Sequence, residues 1–249
     1  MAFLTRWQDD TSRPTAKEAA RDVAVRALAP MALWWLAVVA MGWLLTDGPL
    51  KDLGSHEESV NKSLESSRTT FWNAVTLFFS WTGATVSIIG VCLVVVVLVW
   101  RRTKQWWYAV VPLIAISLQA MVFFFTTLLI DRERPDVEKL DNSPPTSSFP
   151  SGHTGAATGL YFTLALMALR ISNPVLRRVV VGVCLAIPFL VASARLYRGM
   201  HHVSDLVVAI VNGSVAALLA WCWLRRDDMV DQSDPPLGSS VGAGGRQPT

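Results

Sequence analysis

The sequence predicts an all-α, polytopic membrane protein with six transmembrane helices packed as a bundle. Three observations predict it. The chain is 52% hydrophobic and 16% charged, where soluble domains carry about 25% charged residues. Six apolar stretches come close to or reach the roughly 20 residues a spanning helix needs: 27–45, 85–100, 107–130, 154–169, 179–194 and 206–224. The lysines and arginines gather on alternate connections between those stretches.

The elements follow in order. Residues 1–26 form a polar N-terminal segment carrying Arg6, Arg13, Lys17, Arg21 and Arg26. Within it, Thr15 to Glu18 has the spacing of a capping box that opens a short helix. The segment does not read as a cleaved signal peptide, because the first apolar run is too long and a polar stretch precedes it. The connection 46–83 is the longest. From Val60 to Trp81 it places Leu64, Phe71, Val75, Phe78 and Phe79 at roughly helical spacing. An amphipathic helix lying on the outer surface is the favoured reading, ahead of a lid or a lipid-admitting helix.

Arg101, Arg102 and Lys104 follow the second stretch, Arg170, Arg177 and Arg178 the fourth, and Arg225 and Arg226 the sixth. The positive-inside rule puts these connections and both termini in the cytoplasm. The other loops then face away from it. Trp100, Trp106, Trp107, Trp221 and Trp223 flank the same boundaries as an interfacial belt. Residues 225–249, rich in Gly, Ser, Pro and Asp, read as a disordered cytoplasmic tail behind the membrane domain 27–224. No internal repeat is visible. A net charge of +3 without a continuous basic stripe points away from nucleic acid. Cys92, Cys184 and Cys222 lie in apolar runs and read as small buried residues, not as a disulfide framework or metal site.

Three clusters sit at the ends of apolar stretches: Arg134-Pro135, then Pro150-Ser151-Gly152-His153, then Arg195 with His201 and Asp205. Three of the four histidines fall in them. Ser151 and Gly152 stand where the fourth helix begins. Free amides and the positive end of the helix dipole make an anion site there, and His153 falls in the first turn. His201 and Asp205 are four apart and share a face if the last helix has begun. A carboxylate accepting from one ring nitrogen fixes the tautomer and frees the other to attack. Pairing of His202 with Asp205 is the alternative. A metal site from His201, His202 and Asp205 is less favoured, because adjacent histidines point apart.

These clusters resemble the type 2 phosphatidic acid phosphatase superfamily of membrane lipid phosphatases. Its pattern is Lys-x6-Arg-Pro, Pro-Ser-Gly-His, then Ser-Arg-x5-His-x3-Asp. Arg134, Pro135, all of Pro150 to His153, Arg195, His201 and Asp205 match at the family spacing, as does the six-helix order. Two positions depart: the family lysine is Thr127 and the serine before the arginine is Ala194. Arg198 and Arg132, additional to the pattern, are the candidates for the compensating charge.

The resemblance implies His201 as nucleophile through a phosphohistidine, Asp205 orienting it and His153 protonating the leaving group. It implies Arg134, Arg195, Ser151 and the Gly152 amide on the phosphoryl oxygens, with no metal or other cofactor. The substrate class is a lipid phosphate or diphosphate (a polyprenyl diphosphate, phosphatidylglycerophosphate or phosphatidic acid), met at the outer membrane face. The haloperoxidase branch resembles the site too, but its members are soluble. A lipid transporter or non-catalytic lipid binder on the same fold is the alternative that Thr127 keeps open. Oligomeric state is not legible.

Overall fold

The computed structural model describes residues 14–142 and 146–223. Among the described residues the chain is helical without strands, in eight helices. Arg6, Arg13, Pro144, Pro145, Arg225, Arg226 and the tail 225–249 lie outside them, and so do the expectations placed there.

Helix α1 runs Ala16–Thr46. It starts well before the span expected from residue 27, because the polar residues ahead of that point ride on the same helix. The expected capping box is formed: the Glu18 N–H donates to Thr15 Oγ1 at 3.3 Å and the Thr15 N–H to Glu18 Oε2 at 2.9 Å. A π-turn at Ala24–Leu28 widens α1 where the ring of Pro30 would strike the Arg26 carbonyl. The long outer connection holds two helices, α2 (Leu53–Ser66) and α3 (Thr70–Thr82), and not the single surface helix expected from Val60 to Trp81. Thr69 caps α3 by accepting from the Trp72 N–H. Then come α4 (Thr85–Thr103), α5 (Trp106–Thr127), α6 (Gly152–Ala168), α7 (Pro174–Tyr197) and α8 (Val203–Cys222).

By length and composition α1, α4, α5, α7 and α8 can each cross a bilayer. Helix α6, expected as the fourth crossing, has 17 residues, about 26 Å at 1.5 Å each. Its direction follows from its neighbours. Its first residues meet the ends of α5 and α7, whereas its last turn lies at the start of α5. There the Tyr108 hydroxyl donates to the Met167 carbonyl at 3.4 Å and Arg170 stacks 4.4 Å from the Tyr108 ring. Ring contacts among Trp106, Trp107 and Trp223 mark that same end. Leu33, Val86, Val94, Phe124, Val179 and Leu218 are exposed on helix flanks, as side chains facing lipid are.

Helix α6 is central, packed by α5, α7 and α8. Close approach is bought with small residues. A Cβ added at Gly213 of α8 would lie 2.5 Å from Thr158 Cβ and 2.6 Å from the Gly155 carbonyl oxygen. This seam fixes the height at which the two ends carrying Gly152 and His201 meet.

Candidate active site

The site assembles where the loop after α5, the start of α6 and the turn between α7 and α8 converge under α2 and α3. A cavity of about 710 Å³ opens there, and Arg134, Gly152, His153, Arg195 and His201 all line it. Five residues singled out in three separate sequence clusters thus share one chamber.

The turn from α7 into α8 depends on Gly199, whose φ is +70°, a conformation other residues adopt at a cost. A Cβ there would also lie 2.7 Å from Val137 Cγ2 and 2.9 Å from the Glu138 carbonyl oxygen. The turn closes with the Met200 N–H donating to the Arg195 carbonyl at 3.1 Å. It carries His201 beneath the loop, where its Nδ1–H donates to the Ser148 carbonyl at 2.8 Å. That bond fixes the tautomer and leaves a lone pair on Nε2. Burial pushes the His201 ring down to about 3; Asp205 pulls it back up, while Arg195 and Arg134 depress it further.

The Asp205 carboxylate stands 3.8 Å from His201 Nδ1, too far for the direct hydrogen bond that the i,i+4 spacing suggests. The physical reason is that its oxygens are already engaged. Oδ2 accepts from the His202 N–H at 2.9 Å, closing the N-cap of α8, and Oδ1 accepts from Arg132 Nη1. Asp205 is fully buried, so it acts on His201 through its field.

Ser151 is also fully buried and faces its own helix. Its Oγ caps α6, accepting from the Thr154 N–H at 3.4 Å and bonding Thr154 Oγ1 at 3.1 Å. Gly152 presents backbone to the cavity, and a Cβ on it would lie 3.1 Å from the Phe123 ring. Arg134 donates from Nη1 to the Met200 carbonyl at 2.8 Å, and burial holds its guanidinium below the usual arginine range against the pull of Asp205. Arg195 donates from Nη1 to Ser80 Oγ at 2.8 Å and to Asp141 Oδ2 at 2.5 Å. The Nε groups of Arg134 and Arg195 are buried with no hydrogen-bond partner. Two orphaned cationic donors on one cavity are what an oxyanion would satisfy.

The structure corrects the two compensating arginines. Neither lines the cavity. Arg132 is buried behind Asp205, bonded to its Oδ1, to Ser204 Oγ at 2.7 Å and to Glu57 Oε2 at 3.1 Å. Arg198 is paired with Asp141 Oδ1 at 2.7 Å and donates to the Asn73 carbonyl, Thr76 Oγ1 and the Leu140 carbonyl. Thr127 turns its hydroxyl to the Phe124 carbonyl of its own helix at 2.9 Å. Among the described residues the cavity therefore holds two arginines and no stand-in for the family lysine.

Sequence reasoning passed over Asp141, Ser80, Glu57 and Ser148. Asp141 bridges Arg195 and Arg198. Burial raises its carboxyl, but Arg198 and Arg195 outweigh that and hold it below the usual range. Glu57 docks α2 onto the start of α8, accepting from the Ser204 N–H at 2.7 Å and Ser204 Oγ at 2.8 Å. The outer helices are thus bound into the site by buried ionic contacts. Among the described residues no group of three or more His, Cys, Asp or Glu is arranged to hold a metal. His202 faces Asp205 at 3.5 Å and Glu58 at 3.8 Å, while His201 is turned to Ser148.

Asp141 sets one testable property. Its carboxylate repels any anion held by Arg195. Relieving that is worth about 1–2 kcal/mol at an effective dielectric near 20, about five- to thirtyfold in affinity. Asp141→Asn is expected to tighten binding of inorganic phosphate by this factor while loosening the hold on Arg195; titration calorimetry reads the change.

The sequence profile of the PAP2 superfamily matches residues 106–228. Among solved structures, the first transmembrane PAP2 type phosphatidylglycerolphosphate phosphatase from Bacillus subtilis is similar at 22% identity. The match covers 78% of this chain and 93% of that one, with a TM-score of 0.66. LpxE of Aquifex aeolicus is similar at 18% identity over 66% of this chain and 93% of that one, with a TM-score of 0.53. No curated protein matches the sequence. At these identities the two structures speak for the fold, and the profile adds the motif-bearing half of the chain. The chain is a multi-pass helical membrane protein whose residues 106–228 match the PAP2 superfamily.

Proposed function

We propose that this protein is a phosphatase that hydrolyses a lipid phosphate or diphosphate through a phosphohistidine on His201. The observation that carries the reading is the His201 ring, held at Nδ1 by the Ser148 carbonyl beside a cavity that also presents His153 and two arginines with orphaned donors. Below these groups the same cavity is walled by Ile88, Ile89, Leu93, Leu113 and Ile116 of α4 and α5. A substrate with an anionic head and an apolar tail suits that division. Of the two structural relatives, the Bacillus protein is by its description a phosphatidylglycerolphosphate phosphatase, which accords with such chemistry.

In this mechanism Nε2 attacks phosphorus, an N–P bond forms and the P–O bond to the leaving group breaks. His153 delivers the proton that the departing oxygen takes up. The Nδ1 proton stays on the ring, bonded to Ser148, and Asp205 stabilises the positive charge the ring acquires. Arg134, Arg195 and the amides opening α6 hold the phosphoryl oxygens as charge builds on them. Water then attacks the phosphohistidine, His153 accepts its proton, and phosphate leaves.

The basic residues Arg101, Arg102, Lys104, Arg177 and Arg178 lie at the helix ends opposite the cavity, which supports six crossings and a site on the outer side. A single cysteine at Lys139 should then react with an impermeant thiol reagent in intact cells, and one at Lys104 should not. The activity itself is tested by phosphate release in detergent from phosphatidic acid, phosphatidylglycerophosphate and a polyprenyl diphosphate. Release is expected from at least one, unaffected by EDTA and inhibited by vanadate as a mimic of the transferring group. Release from none, or a rate lost to EDTA and restored by a divalent cation, contradicts the reading.

A further inference from the structure

Gln119 is a polar side chain in the middle of α5, a membrane-spanning helix, and it is 2% exposed. Among the described residues its amide has no hydrogen-bond partner, yet it lines the cavity. The amide faces the cavity, where a bound group can satisfy it, and a polar side chain inside a spanning helix marks function by default.

Its depth is set by its neighbours. Phe123, one helical turn further along α5, packs on Gly152 at the phosphate level. The Gln119 amide lies against Gly155, where an added Cβ would come 2.3 Å from Nε2. The amide therefore sits about one turn, ~5.4 Å, below the phosphate-binding groups. Apart from Ser117 and Cys92, the side chains lining this depth are apolar.

We propose that Gln119 is a specificity-determining residue that reads an ester carbonyl of an acylated glycerol. The inference rests on the lipid-phosphatase reading and narrows its substrate class. In a diacylglycerol phosphate the ester carbonyls stand a few bonds from phosphorus, at the level of this amide, and can accept from its N–H. A polyprenyl chain carries only carbon there, and leaves the amide unpaired. A site built to hydrogen-bond a substrate group rejects the analogue that lacks it.

The test uses the purified full chain in detergent and reads phosphate release from three substrates: a diacylglycerol phosphate, its dialkyl ether analogue, and a polyprenyl monophosphate. The wild type is expected to favour ester over ether by about tenfold in kcat/KM, the worth of one well-made hydrogen bond. Gln119→Leu is expected to bring the ester down to the ether value and leave the other two substrates unchanged. Equal wild-type rates on ester and ether overturn the inference, and that comparison decides even if Gln119→Leu fails to fold. A variant that slows all three substrates alike also overturns it. Hydrolysis of the polyprenyl substrate without the ester overturns the role of Gln119 and spares the lipid-phosphatase reading. Release from none of the three overturns both.

Discussion

His201→Ala is expected to bring phosphate release down to the enzyme-free rate, a loss on the order of 10⁶-fold, the size that removal of a nucleophile working with its base produces. Loss of the ring removes the atom that the proposed mechanism bonds to phosphorus and also unties the loop at Ser148. The pH dependence should carry the same signature. In the proposed mechanism neutral His201 is the attacking form, and burial holds its ring down at about 3 in place of the ordinary 6.5. It therefore stays nucleophilic as the pH falls through that window, and carbethoxylation of His201 should persist where ordinary histidines have stopped reacting. The linkage has the opposite sign for stability. The unfolded chain takes up a proton below 6.5 that folded His201 refuses, so stability falls as the pH drops through the window.

Arg132→Leu is expected to cost about 3–5 kcal/mol of stability, the range for breaking a buried ion pair from one side. Asp205 and Glu57 are both buried, and this guanidinium contacts both. Leucine leaves two carboxylates facing each other without a counter-ion. Thermal unfolding in detergent measures the loss. Arg132→Leu together with Glu57→Gln should recover part of it, because one of the two charges has gone. The pairing makes Arg132 a structural support behind Asp205, where a reading from sequence alone offered it, after Arg198, as a candidate for the compensating charge.

What the sequence discloses depends on which atoms do the work. Arg134, His153, Arg195 and His201 were legible as a group because it is their side chains that the folded chain brings to one cavity. The partner of His201 was not, because it is the Ser148 carbonyl, and a main-chain oxygen carries no residue identity. The i,i+4 spacing of His201 and Asp205 pointed to a contact that competition for the carboxylate removes. Arg198 and Arg132 stood beside the motifs, but their charges are spent on Asp141, Asp205 and Glu57, acids from distant segments that no local pattern links to them. Six apolar stretches marked the bundle. The capping box of Thr15 and Glu18 marked where α1 begins, but not that its polar first turns run without a break into the span. Gln119 was masked by the apolar run around it, since its meaning lies in having no partner.

The central claim is that His201 carries the phosphoryl group. Rapid acid-free quenching of the wild type with a lipid phosphate substrate, followed by mass spectrometry of the digest, tests it most directly. The mechanism predicts a base-stable, acid-labile phosphate on the peptide containing His201, absent in His201→Ala and accumulating in His153→Gln if release slows more than attack. Turnover with no phosphate on that peptide, or phosphate on another residue that persists in His201→Ala, would contradict it.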